Sequence, residues 1–215
     1  MVAETFRQDE IYQQLCEKYK VPMVITSLGA REDLNKAVHG WGGMVMHDVI
    51  NDRFGRKAIE KGADGLIAVA AGAGGHAGAQ SPFALVSEIR EWFDGPLLLS
   101  GAIANGRSIL AAQAMGADLA YIGSPFIATN EANAVPDYKD MIARHGAEDI
   151  VYSSLFTGVW GNYLKPSIAR AGMNPDNLPQ SDPSTERKRS ASRKLLVIIA
   201  EDRPCLTPFC IAMDQ

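Results

Sequence analysis

A chain of 215 residues, 47% of them hydrophobic, is long enough to bury a core in one domain or two small ones. Its net charge of −4 offers no electrostatic attraction to nucleic acid or to an anionic membrane. No apolar run approaches the roughly 18 residues that a bilayer-spanning helix needs.

The first ten residues are polar and acidic, without the basic-then-apolar order of a signal peptide. Three cysteines, odd in number and scattered, indicate a reducing cytoplasm rather than a disulfide scaffold. Cys205 and Cys210 lack ligand spacing and have no other Cys or His near them, so no metal site is expected.

In chain order, residues 4–19 predict a helix and 21–28 (VPMVITSL) a strand closed by Gly29. Residues 30–39 have helical composition, and 43–50 (GMVMHDVI) read as a second strand. A helix over 53–61 stops at Gly62, and 65–70 (GLIAVA) form a third strand. Ser81 and Pro82 supply an N-cap and first-turn proline for a helix over 83–93. A fourth strand, 96–100 (PLLLS), precedes a helix over 107–115 that ends at Gly116. A fifth strand, 118–123 (DLAYIG), and a mostly helical 131–145 complete the regular part. Residues 179–194 form a polar linker with the basic run ERKRSASRK, read as solvated, and 195–200 (LLVIIA) are again apolar.

The strands are short and almost wholly apolar, which fits parallel strands covered on both faces. Their spacing predicts an α/β fold, either a barrel or an open doubly wound sheet. "KGADGLIAV" and "MGADLAYIG" echo each other, the repetition expected where successive αβ turns solve one geometric problem. Asp64 and Asp118 in those turns read as structural. Five strands fall short of the eight in a closed barrel, so the expectation is an incomplete (β/α)8 TIM barrel lacking about its first three βα units. It would occupy residues 1–178, with 179–215 an atypical tail. The open strand edges would invite self-association into a homo-oligomer.

The densest chemical signal is 70–78, AAGAGGHAG, directly after the third strand. Gly72, Gly74, Gly75 and Gly78 strip side chains from around one imidazole, so that backbone can press against a flat ligand while His76 points at it. Histidine titrates near neutral pH and suits proton transfer. The strands ending at Ser100-Gly101 and Gly123-Ser124 are followed by turns of the kind that bind phosphate through backbone N–H groups. Ser27, His47, Asp48, Tyr163 and Lys165 are weaker pocket candidates, each more simply read as structural. His39 and His145 read as surface residues.

These motifs, with NPDNLPQSDPS at 174–184, resemble the second half of a nitronate monooxygenase (2-nitropropane dioxygenase), over about residues 21–184. The resemblance implies a (β/α)8 barrel holding FMN. It implies that His76 removes the proton next to a nitro group of a small nitroalkane, with O2 as final oxidant. Gly74, Gly75, Ser100, Gly101, Ala102, Gly123 and Ser124 would contact the FMN, and the last four of these its phosphate. Ala102, Ser124 and Gly72 depart from the family pattern, and the sequence after Ser184 looks unrelated to it. Alternatives are an FMN-dependent enoyl-acyl-carrier-protein reductase using NAD(P)H, or a catalytically silent chain acting through self-association or as a subunit.

Overall fold

The computed structural model describes residues 12–179 and the strand Leu196–Ile198. Helix α1 covers 12–18. Then follow β1 (Met23–Thr26), α2 (Glu32–Gly40), β2 (Met44–Val49), α3 (Asp52–Glu60), β3 (Gly65–Val69), β4 (Gly75–His76), α4 (Pro82–Arg90), β5 (Leu97–Ser100), α5 (Gly106–Ala114) and β6 (Leu119–Ala120). The last part holds α6 (Ser124–Ile127), α7 (Pro136–Arg144), a 3-10 turn (Ala147–Asp149), β7 (Ile150–Ser153), β8 (Gly161–Leu164), α8 (Lys165–Arg170) and β9 (Leu196–Ile198).

The main sheet runs β6-β5-β3-β2-β1-β9. Its first five members are parallel, and β9 lies antiparallel on β1 with Ile25 opposite Leu196. The parallel strands therefore follow one another without the reversal of order that defines a doubly wound sheet. Burial agrees. One apolar cluster joins the strands to α2, α3, α4 and α5 through Leu34, Val38, Ala58, Leu85, Val86, Ile89 and Ala112. The cluster on the opposite face contains only strand residues (Ile25, Met46, Ile67, Val69, Leu98) and two loop alanines, Ala73 and Ala77. Helices on one face and strand side chains on the other are the winding of a (β/α) barrel wall.

The echoed Gly-Ala-Asp turns fold identically. Gly62 and Gly116 take φ of +88° and +106°, which a side chain would strain. Ala63 and Ala117 N–H groups close the preceding helices on Ala58 and Ala112 at 3.0 Å. The Asp64 carboxylate accepts from the Val45 N–H at 2.7 Å, and the Asp118 carboxylate from the Leu97 N–H at 2.8 Å. Each aspartate thus staples its strand to the neighbour. The Leu97 N–H and the Arg90 guanidinium hold the Asp118 carboxyl below its ordinary range.

Several expectations are corrected. The strand predicted at 118–123 shrinks to Leu119–Ala120, because Asp118 is taken up by its staple and the chain turns into α6. The helix predicted from 131 begins at Pro136, whose ring is suited to the first turn. Ser81 makes no side-chain cap for α4. The three-stranded antiparallel sheet β4-β8-β7 was not anticipated. Cys205, Cys210 and most of the tail lie outside the described residues; Cys16 is buried.

Candidate active site

The loop after β3 is positioned by backbone contacts that only small residues permit. Ala71 N–H donates to Gln80 O at 2.8 Å and Gly78 N–H to Val69 O at 3.2 Å, so the loop closes back over its own strand. A Cβ on Gly78 would sit 2.9 Å from Val69 O and 3.0 Å from Ile50 Cβ. At the tip, Gly75 takes φ +72° and pairs with Asn162 of β8, while His76 pairs with Gly161. A Cβ on Gly161 would lie 2.7 Å from Gly75 O. The missing side chain of Gly161 lets these two backbones meet, and Gly75 supplies the left-handed backbone of the tip. Asn162 Nδ2 adds a bond to Ala73 O at 2.8 Å, and the Tyr152 hydroxyl one to Ala77 O at 2.9 Å.

His76 is half-buried, and that burial lowers the pKa of its imidazole, favouring the neutral base. Its Nε2 lies 2.9 Å from Thr157 Oγ1. Thr157 is also within 3.1 Å of Val159 O and 3.4 Å of the Tyr163 hydroxyl. The threonine has one hydroxyl proton. Donated to Val159 O, it leaves Thr157 accepting from Nε2–H and Nδ1 as the basic nitrogen; donated to the imidazole, it leaves Nε2 as acceptor. Thr157 was missed in the sequence, where nothing marks one threonine in LFTGVWGNYL.

The loops after β5 and β6 converge on the same glycine stretch. Ala102 N–H donates to Gly72 O at 3.0 Å, and a Cβ on Gly72 would stand 3.0 Å from Ala102 Cβ. Gly101 takes φ +151°, and its added Cβ would meet Ala71 O at 2.9 Å. Ala102 takes φ +53°, a conformation costly to an L side chain. Gly74 lies where a Cβ would approach Ser124 Oγ to 2.6 Å. Nothing lies within 4 Å of the corresponding positions on Gly75 and Gly123. Ser100 ends β5 opposite Val69. Gly72, Gly74, Gly101, Ala102 and Ser124 are thereby drawn together at the carboxyl ends of β3, β5 and β6. The Ala102 N–H is already bonded to Gly72, which leaves it no role as a phosphate donor in this arrangement.

The weaker candidates separate. His47 is buried, with its Nδ1 bonded to Thr26 Oγ1. Burial, then the nearby Lys61 charge, pushes its pKa down to about 4, so it is a neutral structural residue. Asp48 projects to the other face, the one that Met46 occupies. Tyr163 joins the Thr157 group and packs its ring on Phe156 with centroids 4.8 Å apart. Lys165 instead pairs with Asp176 at 3.0 Å. His39 bonds the exposed staple Asp64 at 2.8 Å, and His145 is exposed. Among the described residues no group of three His, Cys, Asp or Glu could hold a metal ion, and no helix is long and apolar enough to cross a membrane. Two surface depressions, one beside Tyr152 and Trp160 and one beside α2, do not include His76.

Known proteins resemble this chain in sequence and in fold. A protein of Mycobacterium tuberculosis named as a monooxygenase is 29% identical over 171 residues, covering 77% of this chain and 46% of its own length. FabK from Thermotoga maritima superposes with a TM-score of 0.67 at 30% identity, over 74% of this chain and 51% of that one. A nitroalkane oxidase from Streptomyces ansochromogenes shares the fold, with a TM-score of 0.68 at 23% identity over 84% of this chain and 55% of that one. The chain spans less than half the length of the curated relatives it matches, 46% and 31% for two of them. The profile of nitronate monooxygenases matches residues 3–174, most of the sequence, and the chain belongs to the nitronate monooxygenase family.

Proposed function

We propose that this chain carries the FMN-binding half of an oxidoreductase that oxidises alkyl nitronates and nitroalkanes with O2, with His76 as the proton-abstracting base. The five parallel strands would be the last five of a (β/α)8 barrel, in a domain covering 1–178 and followed by a separate tail. The carrying observation is the half-buried imidazole, steadied by Thr157, on a loop whose Gly74 abuts Ser124 of the β6 turn.

The residues fit a flat, phosphate-bearing cofactor. Gly75 and Gly123 face open space; in the first turn of α6 Pro125 has no N–H and Phe126 gives its own to Gly123 O, so Ser124, through its N–H and hydroxyl, would be the donor to an anion there. Gly101, Gly123 and Ser124 would hold the phosphate, while Gly74, Gly75, Ser100 and Ala102 line the approach. When bound, FMN supplies a two-electron acceptor that O2 can reoxidise. The chain supplies the rest: an imidazole kept neutral by burial takes the carbon-bound proton, and the alanine-lined face excludes water.

The purified chain should bind FMN, read by quenching of flavin fluorescence. His76→Ala should lower turnover of neutral nitroethane by roughly 10²–10⁴-fold, the usual worth of a general base. It should spare turnover of ethyl nitronate, which has already lost that proton. Equal loss on both substrates would remove the base assignment. Rapid flavin reduction by NADPH, with none by nitronate, would instead favour the enoyl reductase. Failure to bind FMN would favour a catalytically silent subunit.

A further inference from the structure

Two residues beyond Met46, a member of the strand-only cluster, strand alternation turns Asp48 to the same helix-free face. Ser27 stands in the same relation to Ile25 of that cluster, and Tyr121 packs against the cluster directly. Ser27 lies near enough to Asp48 to favour its carboxylate, and the Tyr121 phenol is pushed up first by burial and then by the Asp48 carboxyl. Three polar residues, following β1, on β2 and following β6, therefore lie on one face at the carboxyl ends of the parallel strands. Over the same face lies the glycine loop, through Ala73 and Ala77 on either side of His76.

Asp48 differs from the structural aspartates of this fold. Asp64 and Asp118 each accept from a strand N–H and from a basic side chain. Asp48 Oδ1 is enclosed and has no hydrogen-bond partner. Burial pushes its carboxyl up to about 7, with the Ser27 hydroxyl pulling the other way. A buried oxygen without a partner is costly unless something else completes it. Its place among the strand ends, where barrels of this winding bind their ligands, says what that is.

We propose that Asp48 is a second ligand-contacting acid of this site, whose carboxyl donates a hydrogen bond to an acceptor oxygen or nitrogen of a planar, conjugated small molecule bound at the strand ends. The proposal rests on the preceding reading that a flavin and its substrate occupy that face. The acceptor belongs either to the flavin ring or to the substrate's nitro group, and the two are separable. His76 and Asp48 then divide the work, one taking a proton and the other holding an oxygen.

Infrared difference spectra of the whole chain with ¹³C-labelled aspartate report the group directly. At pH 6 a protonated carboxyl band should be present that Asp48→Asn removes, and it should shift when ligand binds. A shift on adding FMN alone assigns the acceptor to the flavin; a shift only when nitroethane follows assigns it to the substrate. Asp48→Leu should weaken binding of that same ligand about tenfold, and Asp48→Asn, which keeps a donor, by under about threefold. The proposal is overturned if no such band exists, if neither ligand moves it, or if Asp48→Leu binds both as the parent does. Should Asp48→Leu fail to fold, the spectra of the parent chain decide. If the parent binds no FMN, the functional reading falls and this inference with it. If it binds FMN while the band stays still, only the role of Asp48 falls.

Discussion

His47 and Asp48 are neighbours in the chain with opposite surroundings. The histidine points into the helix side and is held neutral, its pKa lowered to about 4; the aspartate points to the bare face and is raised to about 7. Their effects on stability oppose each other. The unfolded chain binds a proton at His47 that the folded chain refuses, so that contribution is lost as pH falls from about 6.5 to about 4. At Asp48 the folded chain keeps a proton that the unfolded chain releases, so that contribution is lost as pH rises from 3.8 to about 7. Removing the ionisable group at Asp48 leaves only the acid limb. Urea unfolding should show Asp48→Asn gaining on the parent chain between pH 5 and pH 8, at about 1.4 kcal/mol per unit of displaced pKa and a few kcal/mol at most. An unchanged gap between the two pH values would mean that Asp48 is not perturbed. In the sequence the two residues were one ambiguous pair, because alternation assigns faces only after register is known. The glycine stretch and His76, by contrast, were conspicuous, since so many small residues around one imidazole are hard to explain as a plain turn.

The elements divide along the same line. The parallel strands and the helices between them were legible from their apolar runs, and α3 and α5 also from the glycine stops at Gly62 and Gly116, although β6 proved shorter than its apolar run. The β4-β8-β7 sheet was not. β4 is two residues long, and β7 (IVYS) and β8 (GNYL) are mixed polar and apolar and only partly buried, so they lack the apolar runs that marked β1 and β5. Yet this small sheet holds His76 against Thr157. Gly161 is its tightest point, since an added Cβ would press on Gly75 O at 2.7 Å. Gly161→Ala should cost about 1–3 kcal/mol as an overpacking substitution and release the His76 ring, seen as line broadening of its NMR resonances. Gly146→Ala, with nothing within 4 Å of the new methyl group, should stay within about 0.5 kcal/mol of the parent. If both behave alike in chemical denaturation, the hairpin does not support the imidazole.

Over the whole molecule, helices cover one face of the sheet and the other is lined only by strands and loop alanines. Among the described residues β6 is paired on one side only, and Leu119, Leu110 and Phe126 nearby are 57%, 65% and 52% exposed. A free strand edge beside apolar side chains is a template for association. Light scattering should therefore give a mass above that of one chain as concentration rises, and Leu119→Lys should reduce it. A monomer at every concentration would contradict this.

Local pattern alone determined the α/β class, the five parallel strands, the paired Gly-Ala-Asp turns and the prominence of His76. These depend on contacts a few residues apart, which periodicity and turn chemistry record. Tertiary structure decided which face each side chain took, that Ala102 gives its N–H to Gly72, that Thr157 reaches His76 from 81 residues away, and that Asp48 stands apart from His47. Those outcomes depend on strand register and on the meeting of distant loops, and no short stretch of residues encodes either.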